Sequence, residues 1–470
     1  MIGDQEQFPA PVYCDTVLAR NFEDAQKYFL DYLIRIHEAH TRMLARQGIL
    51  SDEDAGAALA SIAALDRAAI AKAAYDGTCE DLFFYVERDM GEAGARIHVA
   101  RSRNDIAITL FRMGLRVEIL RVTAALLSAC EAVIDLAGRH LETVMPAHTH
   151  TQPAQPTTLA HYLMAIAECF CRDLTRLKQA FESVNLSPMG ACAITTTGFP
   201  IDRGYVAGLL GFEGLAENSY GAIAAIDYAT AAASALAVLL VNLGKSTQDL
   251  LLWSTREFGY IRLSGGYVQS SSIMPQKRNP VALEHTRILA SRALGEAQAV
   301  VTCAHNTPFG DINDSEDDLQ PLIFSAFGDA VRAIRLYAGS VSGIQVDTAM
   351  LCQRASRDFL TVTELADTLV REAGLTFREA HGIVAQAVKS CGADDQAVIE
   401  AMLRQHPDLA GHRESLVRAM DPRHFVAIRN IAGGPGAEPM RAQMERAVEA
   451  VAAARDWLER KQKLVQIPAA

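Results

Sequence analysis

Three short segments carry side chains whose types and spacing could do chemistry. The richest is Gly265-Gly266-Tyr267-Val268-Gln269-Ser270-Ser271-Ser272-Ile273-Met274-Pro275-Gln276-Lys277-Arg278-Asn279-Pro280. Its glycines and serines make a pliant stretch that could close over a ligand, while Asn279 suits a helix cap and Pro280 the first turn of the next helix. A serine is a poor base at its ordinary pKa. One acting here needs a neighbouring cation and oriented N–H groups to hold an alkoxide, and Lys277 is available as that cation. A flexible serine-rich loop without chemistry is the alternative.

The second segment is His148-Thr149-His150-Thr151-Gln152, followed by Pro153, Gln155 and Pro156. A histidine in a polar, proline-bounded loop can donate or accept a proton near neutral pH. His-x-His can also mark a metal site, although no further His or Asp ligands stand at suitable places, and a purely structural histidine stays open too. The third is Arg101-Ser102-Arg103-Asn104-Asp105, directly before apolar Ile106, Ala107, Ile108, Leu110 and Phe111. Ser102 and Asp105 have the spacing of a capping box, which predicts a helix start. Two arginines and an asparagine there could cradle a carboxylate, because free backbone N–H groups and the helix dipole add to bidentate guanidinium bonds. An ordinary capped helix with solvated arginines is the competing reading.

The elements that must position these segments are helices. Apolar residues recur at helical spacing over residues 21–47, 106–144, 157–184 and 281–300, lengths too great for strands. Hydrophobic residues make up 50% of the chain and aromatics only 7%, a balance that suits closely packed helices and predicts an all-α fold. The most apolar stretch, residues 228–243, is about 16 residues long and falls short of the ~20 that cross a bilayer. A helix buried on every side of a multi-helix or multi-chain bundle is expected instead. Residues 185–204, 265–280 and 305–321 are rich in Gly, Pro, Ser, Asn or Asp and read as functional loops between helices.

At 470 residues, two or three domains or one long helical scaffold with end pieces are expected. The net charge of −12 is spread along the chain, which disfavours nucleic acid as a partner and leaves an anionic substrate to a few local cations. Nine cysteines form no regular framework, and Cys169 with Cys171 lacks a second pair at metal spacing. They read as thiols of a reducing compartment. Residues 1–13 have neither the basic start nor the apolar run of a signal peptide, so a cytoplasmic protein without a membrane span is expected.

The segment Ser271 to Pro280 resembles the signature of the fumarase/aspartase superfamily, Gly-Ser-Ser-x-Met-Pro-x-Lys-x-Asn. Ser102-Arg103-Asn104-Asp105 and Thr149-His150-x-Gln152 match two further segments of that superfamily in the same order. Within it the chain is most similar to the argininosuccinate lyases. That likeness is carried by His98 with Arg101 to Asp105, Pro188-x-Gly190-Ala191, Phe199-Pro200-Ile201-Asp202-Arg203, Leu252-Trp253-Ser254 and Glu257-Phe258-Gly259. It runs from about residue 21 to beyond residue 321 and fades in the last third.

The resemblance implies a three-domain, all-α fold: an N-terminal helical domain over residues 1–108, a central long-helix bundle over 109–356 that holds the loop 265–280, and a C-terminal helical domain over 357–470. The bundle would form the core of a homotetramer, with each active site assembled from three chains. It implies β-elimination of a carbon–nitrogen bond in a small N-succinyl substrate, argininosuccinate first, to give arginine and fumarate without a metal or organic cofactor. Ser271 would remove the proton beside one carboxylate, and Lys277 would stabilise the aci-carboxylate and the Ser271 alkoxide. Asn279 and Ser272 would hold carboxylates, while Ser102, Arg103 and Asn104 would bind the succinyl group. His150, supported by Glu284, would move the proton at the leaving nitrogen, with Thr149 and Gln152 lining the pocket.

The chain also departs from that pattern. Ser270 replaces the signature glycine, Val281 an acidic residue, and Phe83 a histidine expected after Glu80-Asp81. Ala224-Ala225-Ile226-Asp227 stands for a Ser-Asp-Arg-Asp run. The family's Tyr-Asn-basic-Asp-Leu-Gln-Glu-Asp-Lys stretch, whose Tyr, Gln and Lys contact substrate, becomes Asp311-Ile312-Asn313-Asp314-Ser315-Glu316-Asp317-Asp318-Leu319. Elimination chemistry is therefore expected, and the amine half of the substrate is left open between arginine and another cationic amine. A sister lyase for another N-succinyl amino compound, a crystallin-like structural paralogue without activity, and a chelator-sensitive His-x-His metal hydrolase are the competing functions.

Overall fold

The computed structural model describes residues 8–392 and 396–465. Residues 1–7 of the stretch read for a signal peptide lie outside them, as do residues 393–395 and 466–470 of the C-terminal piece. Five long helices form the body: α1 (Arg103–Arg139), α2 (Leu159–Val184), α3 (Asp227–Trp253), α4 (Val281–Ala304) and α5 (Gln320–Ser342). α1 packs on α2 and α5, and α3 packs on α2 and α4, with α4 against α5. The core is built from Leu, Ile, Phe and Ala side chains such as Phe111, Leu115, Ile119, Leu126, Leu163, Leu236, Leu239 and Ile334. Each large side chain of this kind contributes ~1.5–3 kcal/mol by leaving water.

The helix starts follow local chemistry. Ser102 and Asp105 close the capping box of α1, with Asp105 accepting from the Ser102 N–H at 2.8 Å. Thr158 caps α2 by accepting from the His161 N–H at 3.1 Å. At α4 the expected cap shifts by one residue: Pro280 is the N-cap and the helix begins at Val281. The reason is that Asn279 is held in a short antiparallel ladder, opposite Gln269.

The helices alternate in direction, so the bundle has two distinct ends. At one end Arg112 donates to the Ser183 carbonyl at 3.0 Å and lies 4.0 Å over the Tyr228 ring, which gathers the start of α1, the end of α2 and the start of α3. At the other end Tyr162 and Trp253 pack at 4.6 Å, joining the start of α2 to the end of α3. There α1 gives way to an antiparallel hairpin of β1 (Val144–Thr149) and β2 (Gln152–Thr158).

The apolar stretch 228–243 lies in α3, which runs on through Gly244 to Trp253 and is 27 residues long. Tyr228, Ala232, Leu236, Leu239 and Leu243 are buried in the bundle, but Val238 and Val241 stay 41% and 48% exposed. One chain therefore leaves a face of α3 uncovered, where burial on every side was expected. In the last third, Leu365, Leu369, Val384, Val398 and Leu416 form a separate small core. The final helix, α6 (Ala437–Val465), returns along α1 and α2, where Trp457 meets Phe181 edge-on at 5.3 Å.

Candidate active site

At the hairpin end, residues 271–277 form a loop closed at its base by the pairing of Gln269 with Asn279 and Ser270 with Arg278. Inside the loop the Ser271 hydroxyl oxygen accepts from the N–H groups of Met274 at 3.1 Å and Ile273 at 3.3 Å. Two N–H donors aimed at one hydroxyl oxygen favour its anionic form, which is what a serine base requires. Among the described residues no hydrogen bond or ion pair engages the Lys277 ammonium. Lys277 and Asn279 line a concave space of ≈ 770 Å³ together with Arg256, Arg262, Arg278 and Asp347. Ser272 and Ile273 project into solvent, Ile273 being 82% exposed.

The arginines of this cleft were not singled out from sequence. Arg262 reaches it because Ile261 and Arg262 pair with Gln345 and Val346, a long-range contact with no local signal. Arg278 is steadied by the Leu263 carbonyl at 3.2 Å. Glu284 lies exposed on the first turn of α4.

His150 and Thr151 are the two turn residues of the hairpin, with φ of 51° and 63°. Two left-handed residues match the right-handed twist of the flanking strands, a job usually given to Asn-Gly, and non-glycine residues there hold strain of ~1 kcal/mol or more each. The turn sets Thr149, His150 and Gln152 on an exposed tip. His148 does the opposite, packing its ring 6.2 Å from Phe258 and 6.5 Å from Tyr260, and burial lowers its pKa. The two histidines of His-x-His thus serve different surroundings. Among the described residues no group of three or more His, Cys, Asp or Glu could hold a metal ion.

The third segment lies at the opposite end. Arg103 is 3.4 Å from Glu80, 3.7 Å from Asp81 and 3.8 Å from Glu316, while the Asn104 amide donates to Asp311. The loop after α4 therefore folds back over the start of α1. Burial, together with a hydrogen bond to Asp311, pushes the Glu316 carboxyl up to about 8, and burial raises Asp317 to about 6. Leu319 is turned away from this cluster into the core, 2% exposed. The helix that starts at Gln320 directs it inward.

Asp105 fixes this end. Besides capping α1, its buried carboxylate accepts from the N–H groups of Gly190 at 2.9 Å and Cys192 at 3.0 Å. Gly190 has φ +85°, and a Cβ there would meet Arg203 Cγ at 2.8 Å and Ile201 Cδ1 at 2.9 Å. Arg203 in turn donates to the Met189 carbonyl at 3.0 Å. The segments around Gly190 and Arg203 are thus a brace for the helix that carries Arg103 and Asn104.

At ~1.5 Å per residue, the 37 residues of α1 separate Arg103 from the hairpin by ~55 Å. No hydrogen bond or ion pair among the described residues joins Ser271, His150 and Arg103. A single chain places Ser271, Lys277 and His150 at one end of its bundle, and Ser102, Arg103 and Asn104 at the other.

Comparison with known proteins gives this geometry its setting. Residues 41–295 match a lyase family and residues 359–427 the argininosuccinate lyase C-terminal family. The chain is 43% identical to argininosuccinate lyase 2 of Agrobacterium fabrum, over 93% of this chain and 90% of that protein. It is 38% identical to the argininosuccinate lyase of Methanoculleus marisnigri, over 97% and 92% of the two chains. Among solved structures it is similar to EDDS lyase in complex with formate, with a TM-score of 0.85, 32% identity, and 97% and 93% of the chains covered. The class II fumarase of Schistosoma mansoni, at 15% identity and a TM-score of 0.70 over 86% and 94% of the chains, shares the fold. The helical bundle, the serine loop and the helix-start arginine together are those of a lyase, and the chain belongs to the argininosuccinate lyases of the fumarase/aspartase superfamily.

Proposed function

We propose that the protein cleaves argininosuccinate to arginine and fumarate by β-elimination. The observation that carries this reading is the Ser271 hydroxyl oxygen held by two backbone N–H groups, six residues before Lys277 in the same loop. Ser271 takes the proton from the carbon beside one carboxylate of the succinyl half. Lys277 stabilises the charge that develops on that carboxylate, and Ser272 and Asn279 orient it. The electron pair forms the fumarate double bond as the carbon–nitrogen bond breaks, and His150, supported by Glu284, supplies the proton to the leaving nitrogen. Thr149 and Gln152 line that pocket. Ser102, Arg103 and Asn104 bind the succinyl group from another chain, in a site assembled from three. No step draws on a metal or organic cofactor.

The working enzyme is a cytoplasmic homotetramer with shared sites. The ~55 Å between Arg103 and the hairpin supports this, since bundles packed antiparallel would bring one chain's helix start to another's serine loop. The uncovered face of α3 supports it too. The test is fumarate absorbance after argininosuccinate, adenylosuccinate, aspartate and malate are offered separately, and release from argininosuccinate alone is the expected result.

One observation favours a second reading. Glu316 and Asp317 crowd Arg103 and Asp311 accepts from the Asn104 amide, so this half-site is rich in acids and lacks the Tyr, Gln and Lys of the family pattern. Turnover of another N-succinyl amine in that assay, with argininosuccinate inert, would move the protein to a sister activity. No fumarate from any of them would leave the structural-paralogue reading.

A further inference from the structure

A concave space of ≈ 650 Å³ opens on the flank of the bundle, away from both ends. Arg121, at the midpoint of α1, lines it, ~27 Å along the helix from either terminus at ~1.5 Å per residue. Lys27, Arg35 and Arg67 face the same space from the N-terminal helices, and among the described residues Asp31 is the only acid in its wall. Four cations line the space; Glu118 holds Arg121 at 2.7 Å, and Glu38 stands 4.0 Å from Arg67.

Among the described residues, two of these cations have no carboxylate within hydrogen-bonding distance, whereas Arg121 is held by Glu118. Arg67 is 3.8 Å from Asp31 and 4.0 Å from Glu38, too far for hydrogen bonds, and among the described residues Lys27 bonds only the neutral Tyr28 hydroxyl, at 2.6 Å. Elsewhere on the surface guanidinium groups close on carboxylates, as in Arg332 with Asp329 at 2.7 Å and Arg413 with Glu400 at 2.7 and 2.9 Å. Tyr32 adds a hydroxyl to the wall, and burial raises its pKa, so it remains a proton donor. Leu120 and Val117 give the cavity an apolar floor that lowers the local dielectric and strengthens attraction to a charge.

We propose that this cavity is a second small-molecule site, separate from the elimination chemistry, that takes a multiply charged oxyanion between Lys27 and Arg67. Phosphate and polycarboxylate present the same chemistry to such a cradle: several acceptor oxygens and at least two negative charges.

The test is isothermal titration of the full chain with inorganic phosphate and, separately, with citrate. One of the two anions is expected to bind once per subunit, in the natural protein and equally in Lys277→Met. Arg67→Gln and Lys27→Gln should each weaken binding at least about ten-fold, the loss expected of a charge-assisted bond. Both positions are exposed, and an unchanged melting temperature identifies a folded variant; either variant alone decides. Absence of saturable heat with both anions overturns the proposal. So does undiminished affinity in a folded Arg67→Gln or Lys27→Gln protein, or loss of binding in Lys277→Met, which would put the anion in the serine loop.

Discussion

The hydroxyl oxygen of Ser271 lies 3.1 Å from the amide nitrogen of Met274, inside its own loop. A hydroxyl held this way is pre-set for deprotonation while the loop stays open to substrate. Ser271→Ala should therefore lower kcat by ~10²–10⁴-fold with a much smaller change in KM, as for loss of a general base. Steady-state fumarate release measures both, and near-normal turnover would take the role away from Ser271.

Lys277→Met should be comparably damaging to kcat. The developing carboxylate charge would lose its nearest cation, an effect worth ~10²–10³-fold for an electrostatic stabiliser. A variant that raised KM alone would make Lys277 a binding residue only.

Glu316 links the acidic cluster to pH. Its folded pKa is raised from the ordinary 4.5 to about 8 by burial and by Asp311, so between those values the folded state holds a proton that the unfolded state has lost. Stability must then fall as pH rises through that window, and level off above it. Melting temperatures from pH 5 to 9 should show the decline in the natural protein and a flatter profile in Glu316→Gln. Superimposable slopes would mean that Glu316 is ionised throughout.

Complementation tests the shared site. Arg103→Gln and Ser271→Ala chains are each expected to be inactive alone, because the two residues sit at opposite ends of one bundle. Co-expressed and randomly assembled, roughly a quarter of sites should contain both natural residues. Proven mixed oligomers that regain nothing would place both residues in one chain's site.

Much of this was legible in the residues. The capping box at Ser102 and Asp105, the long helices and the flanking loops followed from local chemistry and periodicity. What the sequence hid is long-range or conformational. No local pattern announces that His150 occupies a left-handed turn position or that Arg256 and Arg262 line the same cleft as Lys277. The inward turn of Leu319 was equally invisible, because one residue at a helix start faces core or solvent according to the angle at which the helix docks. It also corrects a tempting experiment. Leu319→Lys, meant to restore the family pattern, would put an ammonium among apolar side chains and should lower the melting temperature more than it alters substrate choice. A Lys variant as stable as the natural protein would show that the side chain can swing out.

The segment from His305 to Asp318 joins two packed helices but places no side chain in the main core. It is pinned mainly through polar contacts, such as Asp311 with Asn104 and Glu316 with Arg103, and through the Tyr220 to Phe309 ring stack. Its composition can therefore change at little cost to the apolar core of the bundle. In one chain this segment and the serine loop lie at opposite ends of the bundle, so a change of diet written into the first asks for a new patch of surface and leaves the second as it is.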